Sequence, residues 1–132
     1  MIWSNAFLFG AYLTGSDLRE ARLVGTDFRW ADLREVNLSR ADVSNAVFED
    51  ALFGYSILGT LNLISANGLE KVRHVGPSSI GMDTFCHGSI PEEFLRQAGI
   101  PEPFVSNLSS LLVVSSENSV LIESVEFNNG RL

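Results

Sequence analysis

The sequence predicts an all-β solenoid followed by a small helical C-terminal cap. Two observations carry the solenoid: a large apolar residue recurs every five positions from Trp3 to Leu63, and a small residue usually stands two positions before it. A third observation sets its expected end, because the period stops at Gly68. The chain has 132 residues and is 45% hydrophobic, which suits one domain, or one domain with a small appendage, rather than a disordered polymer.

The five-residue period excludes a regular helix and a straight strand. Eleven of the 13 small positions, which run from Ala6 to Ala66, hold Ala, Ser or Thr, and all 13 large positions, which run from Trp3 to Leu63, are apolar. In a helix, five residues turn through about 500°, so the apolar residues would scatter around the axis. In a strand they would alternate between faces, because five is odd. The pattern is satisfied by short extended pieces joined at corners, wound around an apolar axis. The large positions are Trp3, Leu8, Leu13, Leu18, Leu23, Phe28, Leu33, Leu38, Val43, Phe48, Phe53, Leu58 and Leu63.

The pentads Ala31-Asp32-Leu33-Arg34-Glu35 and Ala41-Asp42-Val43-Ser44-Asn45 resemble those of the pentapeptide-repeat family, and the resemblance covers roughly residues 2–67. It implies a right-handed quadrilateral β-helix with four pentads per coil, hence a domain over 1–67 of about three coils. Residue n would then stack on residue n+20, which places Phe28 on Phe48 and buries Leu33 and Leu38. The residue between the small and the large position, such as Asp32, is expected to point to solvent.

We expect the solenoid to stop at Gly68, which has no side chain to continue the apolar column, and residues 68–88 to form a connecting loop. Within that loop, residues 76–83 have the glycine spacing of a phosphate-binding loop. Met82 stands where that motif needs lysine and Asp83 where it needs Ser or Thr, so an ordered loop without nucleotide is the better interpretation.

Residues 89–132 are predicted to form a C-terminal helical segment and tail. Ser89 and Glu92 fit a capping box and Gly99 suits a helix exit. A second helix is expected from Pro101, and the tail from 113 onward reads as a strand or hairpin. Helical residues 89–112 would fold back over the C-terminal end of the solenoid. The N-terminal coil would then be the more exposed end, and it could support a homo-oligomer.

The side chains that could act as nucleophiles, bases or metal ligands do not form a recognisable site. Asp83, Cys86 and His87 are neighbours in sequence, a poor arrangement for a nucleophile with a base. Cys86, His74 and His87 lack a zinc-ligand spacing. We therefore expect no catalytic, cofactor-binding or metal-binding residues, no cofactor and no enzymatic activity. The single cysteine and an N-terminus without basic residues favour a reducing, cytoplasmic setting, and the family resemblance implies a bacterial one.

Net charge and hydropathy narrow the range of partners. A net charge of −7 and a pI of about 4.7 argue against direct nucleic-acid binding. No apolar run is long enough to span a membrane, and residues 103–112 lack the basic face of a membrane-surface helix. The predicted function is therefore a non-enzymatic scaffold or protein–protein interaction module with an unknown protein partner.

Two alternatives stay open. Residues 74–84 and 90–104 resemble a segment that precedes a Toll/interleukin-receptor-like (TIR) domain in some bacterial pentapeptide-repeat proteins, which implies an accessory part of a signalling or defence protein whose effector domain is absent here. The family resemblance also implies a possible DNA mimic that regulates DNA gyrase. Residues 1–65 carry eight acids against five arginines, a net charge of only −3 with the signs interleaved, which weakens the second alternative.

Overall fold

A computed structural model of the chain describes residues 2–81, 84 and 90–106. The chain divides into two compact units, one running to Ile100 and one starting at Pro101. The first unit contains the winding chain, which includes a 3-10 turn (Leu69–Lys71), and then helix α1 (Glu92–Gln97). Helix α2 (Glu102–Ser106) belongs to the second unit. Four two-residue strands lie in the first unit: β1 (Leu52–Phe53), β2 (Ile57–Leu58), β3 (Arg73–His74) and β4 (Ser79–Ile80).

The chain winds with a pitch of 20 residues from Ile2 to Asn67. Nine isolated parallel bridges join residues that are 20 apart, from Ile2↔Arg22 to Val47↔Asn67. Each pentad ends in a corner, where residues 5, 10, 15 and so on to 60 adopt a left-handed backbone conformation. Nine of these corner residues are not glycine, which costs free energy at each corner that the stacked coils must offset. The predicted solenoid and its 20-residue register are therefore confirmed. We number the coils 1 (residues 2–21), 2 (22–41), 3 (42–61) and 4 (62–81).

The apolar axis consists of the positions that the period identified. Leu33 and Leu38 are fully buried, and the Phe28 and Phe48 rings stack with centroids 5.1 Å apart and planes 6° from parallel. The small slots also hold two buried hydroxyls. Thr26 Oγ1 donates to the Trp3 carbonyl and Ser56 Oγ to the Leu33 carbonyl, both at 2.7 Å. These bonds join consecutive coils in the interior, where an unsatisfied hydroxyl would be costly.

The expected end of the solenoid at Gly68 is wrong, because the winding continues to Ile80. Strand β3 pairs in parallel with β1 at an offset of 21 residues, and β4 pairs with β2 at an offset of 22. Gly68 adopts φ +78°, and Leu69, one position later, is buried in place of the missing side chain. The part of the predicted 68–88 loop up to Ile80 therefore belongs to coil 4. One residue is inserted at the 3-10 turn, and a second between β3 and β4.

Helix α1 lies against coil 4. The Phe94 ring contacts Phe53 edge-on at a centroid distance of 6.0 Å and His74 at 4.8 Å, and the Ser78 N–H donates to the Ala98 carbonyl at 2.8 Å. The predicted helix before Gly99 is confirmed, and Gly99 leaves it with φ +99°. The helix begins at Glu92, directly after Pro91.

The remaining C-terminal expectations are tested only in part. Within the second unit, the predicted second helix is present as α2, and the Val105 N–H donates to the Pro101 carbonyl. The capping serine Ser89, the continuation of that helix beyond Ser106 and the strand or hairpin from 113 onward lie outside the described residues.

Candidate interaction surface

One side of the solenoid carries a group of solvent-exposed aromatic side chains that we call the aromatic flank. The flank consists of one face of the solenoid and the two corners that border it. The residues stacked on this face are Tyr12, Asp32, Leu52 and Arg73. Its aromatic members are exposed by 51% to 89% of their surface. Exposed aromatic residues at this density are typical of sites that bind another protein. These members are Phe9, Tyr12, Trp30 and Tyr55.

Two arginines lie over aromatic rings of the flank. The Arg29 guanidinium carbon is 5.3 Å from the centroid of the Phe9 ring, one coil away. Arg73 lies 5.1 Å from the Trp30 ring, and its guanidinium also donates two hydrogen bonds to the Asp50 carbonyl. These contacts restrict the motion of the arginines and rings, which would lower the entropy cost of any binding at this surface.

Three acidic side chains of the solenoid are neutralised by arginines two positions later. Arg19 holds Asp17, Arg29 holds Asp27 and Arg34 holds Asp32, each through two parallel hydrogen bonds of 2.6 to 2.9 Å. The hydrogen bonds from the arginine side chains lower the pKa of the Asp17 and Asp32 carboxyls to about 2 and also lower that of Asp27. Because each of these aspartates is paired with an arginine, the outside of the solenoid at these positions does not present an unbroken row of negative charge.

Asp32 departs from the expectation that it would face solvent freely. The residue is 9% exposed, and its carboxylate accepts hydrogen bonds from the Arg34 side chain and from the Arg34 main-chain N–H. The side chain does leave the apolar axis, but the arginine lies over it. Asp32 therefore fixes the turn that follows Leu33 rather than serving only as a solubilising charge.

The residues considered for chemistry do not come together in the described part of the chain. His74 lies between Phe53 and Phe94, and neither ring nitrogen hydrogen-bonds to a described residue. Burial lowers the pKa of His74 to about 4, so the ring is neutral at physiological pH. Asp83, Cys86 and His87, like Met82, lie outside the described residues.

The described residues contain no cluster of three or more potential metal ligands, and none of their helices is long and apolar enough to cross a membrane. The glycine-spaced segment 76–83 does not form a phosphate cradle where it is described. Ser79 and Ile80 form β4 of coil 4, and Gly76 lies directly under the Tyr55 ring.

A shallow groove of about 340 Å³ opens on another face, where residues 40–44 lie beside residues 60–62. The ladder is interrupted here, because Asp42 and Asn62 stand 20 apart without the bridge that joins Arg22 to Asp42. The polar groups that line the groove are one guanidinium, one carboxylate, two hydroxyls and one amide. Asp42 is the only carboxylate among them and no histidine is present, so the groove lacks a pair of groups suited to acid–base catalysis. The lining residues are Arg40, Ala41, Asp42, Val43, Ser44, Thr60, Leu61 and Asn62.

The aromatic flank was not predicted from the sequence, although the sequence contains a signal for it. The pentad register assigns Tyr12 to an outward position and Trp30 and Tyr55 to corners. A large aromatic residue at such a position cannot serve the core, so its presence calls for another explanation. The pairing of Arg73 with Trp30 could not be anticipated, because it depends on the shifted register after Gly68.

Comparison with known proteins supports the repeat assignment. Residues 11–50 match a family model described as pentapeptide repeats, with eight copies. A solved structure of alr5209, a pentapeptide repeat protein from Nostoc Pcc 7120, is similar to this chain with a TM-score of 0.56 and 30% sequence identity. That similarity covers 74% of this chain and 81% of the Nostoc chain.

A second solved structure, a pentapeptide repeat protein from the Arabidopsis thaliana thylakoid lumen, is 23% identical over 72% of this chain and 66% of the other, with a TM-score of 0.39. No protein of curated function is recognisably similar to this chain.

Proposed function

The chain belongs to the pentapeptide repeat family, and from this premise we propose that it is a non-enzymatic scaffold that binds a protein partner through the aromatic flank. Proteins of this family fold as right-handed quadrilateral β-helices and generally serve as protein-interaction modules without catalytic activity. A rigid solenoid of this kind offers a fixed lateral surface, and function on such a surface is a binding event.

The observation that carries the proposal is the composition of the flank. Trp, Tyr and Arg are the residue types that dominate binding energy at protein interfaces. Here Trp30 and Tyr55 are more than half exposed, although the solenoid core is built without them. Arg73 lies on Trp30 and is held there by the Asp50 carbonyl, so part of the surface is ordered before binding. We infer that a partner covers these rings and excludes water from the arginine contacts.

DNA mimicry is less well supported than protein binding through the flank. A protein that mimics duplex DNA needs evenly spaced, unpaired negative charges along its surface. Asp17, Asp27 and Asp32 each form an ion pair with an arginine of their own coil. These three of the five acids of coils 1 and 2 therefore present alternating charge to a DNA-binding enzyme rather than a phosphate-like row.

Other features of the proposed role stay predictions. We expect the protein to work in a bacterial cytoplasm without a cofactor, and α1 to act as a cap that shields the end of the apolar axis. The alternative role as an accessory to a TIR-type effector rests on the resemblance of residues 74–84 and 90–104, and it predicts that the partner is such an effector.

The proposal is tested by affinity enrichment from the native host with the full chain as bait. We expect one or a few proteins to be retained stoichiometrically, and Trp30→Ala to reduce their recovery at least about tenfold, as hot-spot truncations do. The matched control is Ile64→Ala, which shortens an equally exposed apolar side chain at the corner diagonally opposite Tyr55. Equal loss with both variants, or no effect of Trp30→Ala on a retained partner, would contradict the proposal.

A further inference from the structure

The first coil ends in an edge of main-chain groups that the rest of the described chain leaves unpaired. In coil 2, the Asp27 N–H donates to the Ala6 carbonyl, and the Asp27 carbonyl accepts from the Leu8 N–H. In each pentad, the residue between the small and the large position thus directs its N–H and its carbonyl toward the preceding coil. Among the described residues, the corresponding groups of Phe7, Tyr12 and Asp17 in coil 1 have no hydrogen-bond partner.

The apolar axis is also uncovered at this edge. Trp3, Leu8 and Leu13 are each partly exposed, whereas the residues stacked directly on them in coil 2 are completely buried. Phe7 and Tyr12 border the same edge and are each 89% exposed. An edge with free donors and acceptors beside apolar surface is the feature that proteins normally cover or protect with charge.

Charge and hydrogen-bond geometry indicate what covers this edge. The first 16 residues carry no charged side chain, and the first acid, Asp17, is paired with Arg19. The charged residues of coil 1 are therefore confined to Asp17, Arg19 and Glu20, and the three faces formed by residues 2–16 have no charge with which to select an acidic or basic partner. Phe7 presents its N–H and its carbonyl in the same direction, and two such residues can exchange both bonds when their strands run antiparallel. The edge is thus complementary to a copy of itself across a two-fold axis.

We propose that the open edge of coil 1 is a docking surface for a second copy of this chain. The two solenoids join end to end, their first-coil strands pair antiparallel, and Trp3, Leu8 and Leu13 become buried against their counterparts. The aromatic flank is not required for this contact, apart from Tyr12 at its border. Failure of the end-to-end contact is therefore distinguishable from failure of the flank as a partner site.

Sedimentation equilibrium of the full chain over a range of concentrations tests the proposal. We expect a reversible monomer–dimer equilibrium. Phe7→Pro removes an N–H that bonds to no described residue, so it should spare the monomer while weakening the dimer by about tenfold or more. Phe7→Lys keeps the N–H but places a charge at the edge, and it should weaken the dimer comparably.

Val47→Lys is the matched control, because Val47 lies in the same column two coils away and its N–H already donates to the Thr26 carbonyl. We expect it to leave the dimer unchanged. Circular dichroism confirms folding, and Phe7→Lys decides the outcome if Phe7→Pro does not fold. A wild-type chain that is monomeric at every concentration would overturn the proposal. So would a dimer that Phe7→Lys weakens no more than Val47→Lys does.

Discussion

Replacement of His74 by leucine should remove a specific acid sensitivity of the folded protein. His74 lies at the junction of coil 4 and α1, between Phe53 and Phe94. Both of its ring nitrogens are buried without a hydrogen-bond partner among the described residues. Protonation would place a cation in this aromatic surrounding, and burial accordingly lowers the His74 pKa to about 4.

The magnitude follows from the difference between the folded and unfolded states. An unfolded-state pKa of 6.5 against about 4 when folded corresponds to at most about 3 kcal/mol, less to the extent that the half-buried ring contacts solvent. His74 is a base whose pKa is lower in the folded protein than in the unfolded chain. The folded protein therefore binds this proton less readily, and protonation of His74 favours unfolding. Stability is unaffected above pH 6.5 and declines as the pH falls from 6.5 toward 4.

Urea unfolding followed by circular dichroism at several pH values between 7.5 and 4.5 measures the effect. The free energy of unfolding of the His74→Leu variant should equal or exceed that of the wild type at pH 7.5, and the gap should widen toward pH 4.5. His87 is present in both proteins, so its titration cancels if the two sites are independent. The paired aspartates, with lowered pKa values, titrate mostly below this range. A gap that does not change with pH would refute the reasoning.

Three further substitutions test the winding of the chain. Phe48→Ala should lower the free energy of unfolding by about 3–5 kcal/mol in denaturant titrations, because the ring is fully buried and stacked on Phe28; a loss below about 1 kcal/mol would contradict the stacked column. Asp32→Ala should lower the free energy of unfolding by about 1 kcal/mol in the same titrations, because the hydrogen bonds from Arg34 to the carboxylate are lost. An unchanged free energy of unfolding would show that the carboxylate does not stabilise the turn as a hydrogen-bond acceptor. Gly68→Ala should lower the thermal midpoint through a cost of about 1–3 kcal/mol, because φ is +78° and a Cβ would contact the Glu49 main chain; a raised midpoint would contradict the left-handed turn.

The five-residue period predicted the solenoid because 13 consecutive large apolar positions share it, so an exception at one position would not disturb the register. It could not predict coil 4. There the apolar position is taken by Leu69 after a one-residue shift, next by His74, and then by Ile80 after a second shift. A histidine at a core position and two unequal spacings hide the period. The parallel pairings of β3 with β1 and of β4 with β2 reveal that the winding continues.

The surface was harder to predict than the core. An outward direction for Asp32 follows from the pleat, but its near-complete burial follows from where Arg34 lies. The flank depends on contacts between coils, as when Arg73 reaches Trp30 across coil 3. The sequence period places these side chains in columns but does not determine which of them touch.

The most direct test of the proposed binding surface is photo-cross-linking in living cells of the native host. A photoreactive benzophenone side chain is placed at Tyr55 on the flank and, in a separate protein, at Ile64 at the diagonally opposite corner. Both positions are exposed by more than half. We predict a discrete cross-linked product from position 55 that is lost when Trp30→Ala is added, and none from position 64. The same product from position 64, or none from position 55 when the affinity-enriched partner is present, would contradict binding through the aromatic flank.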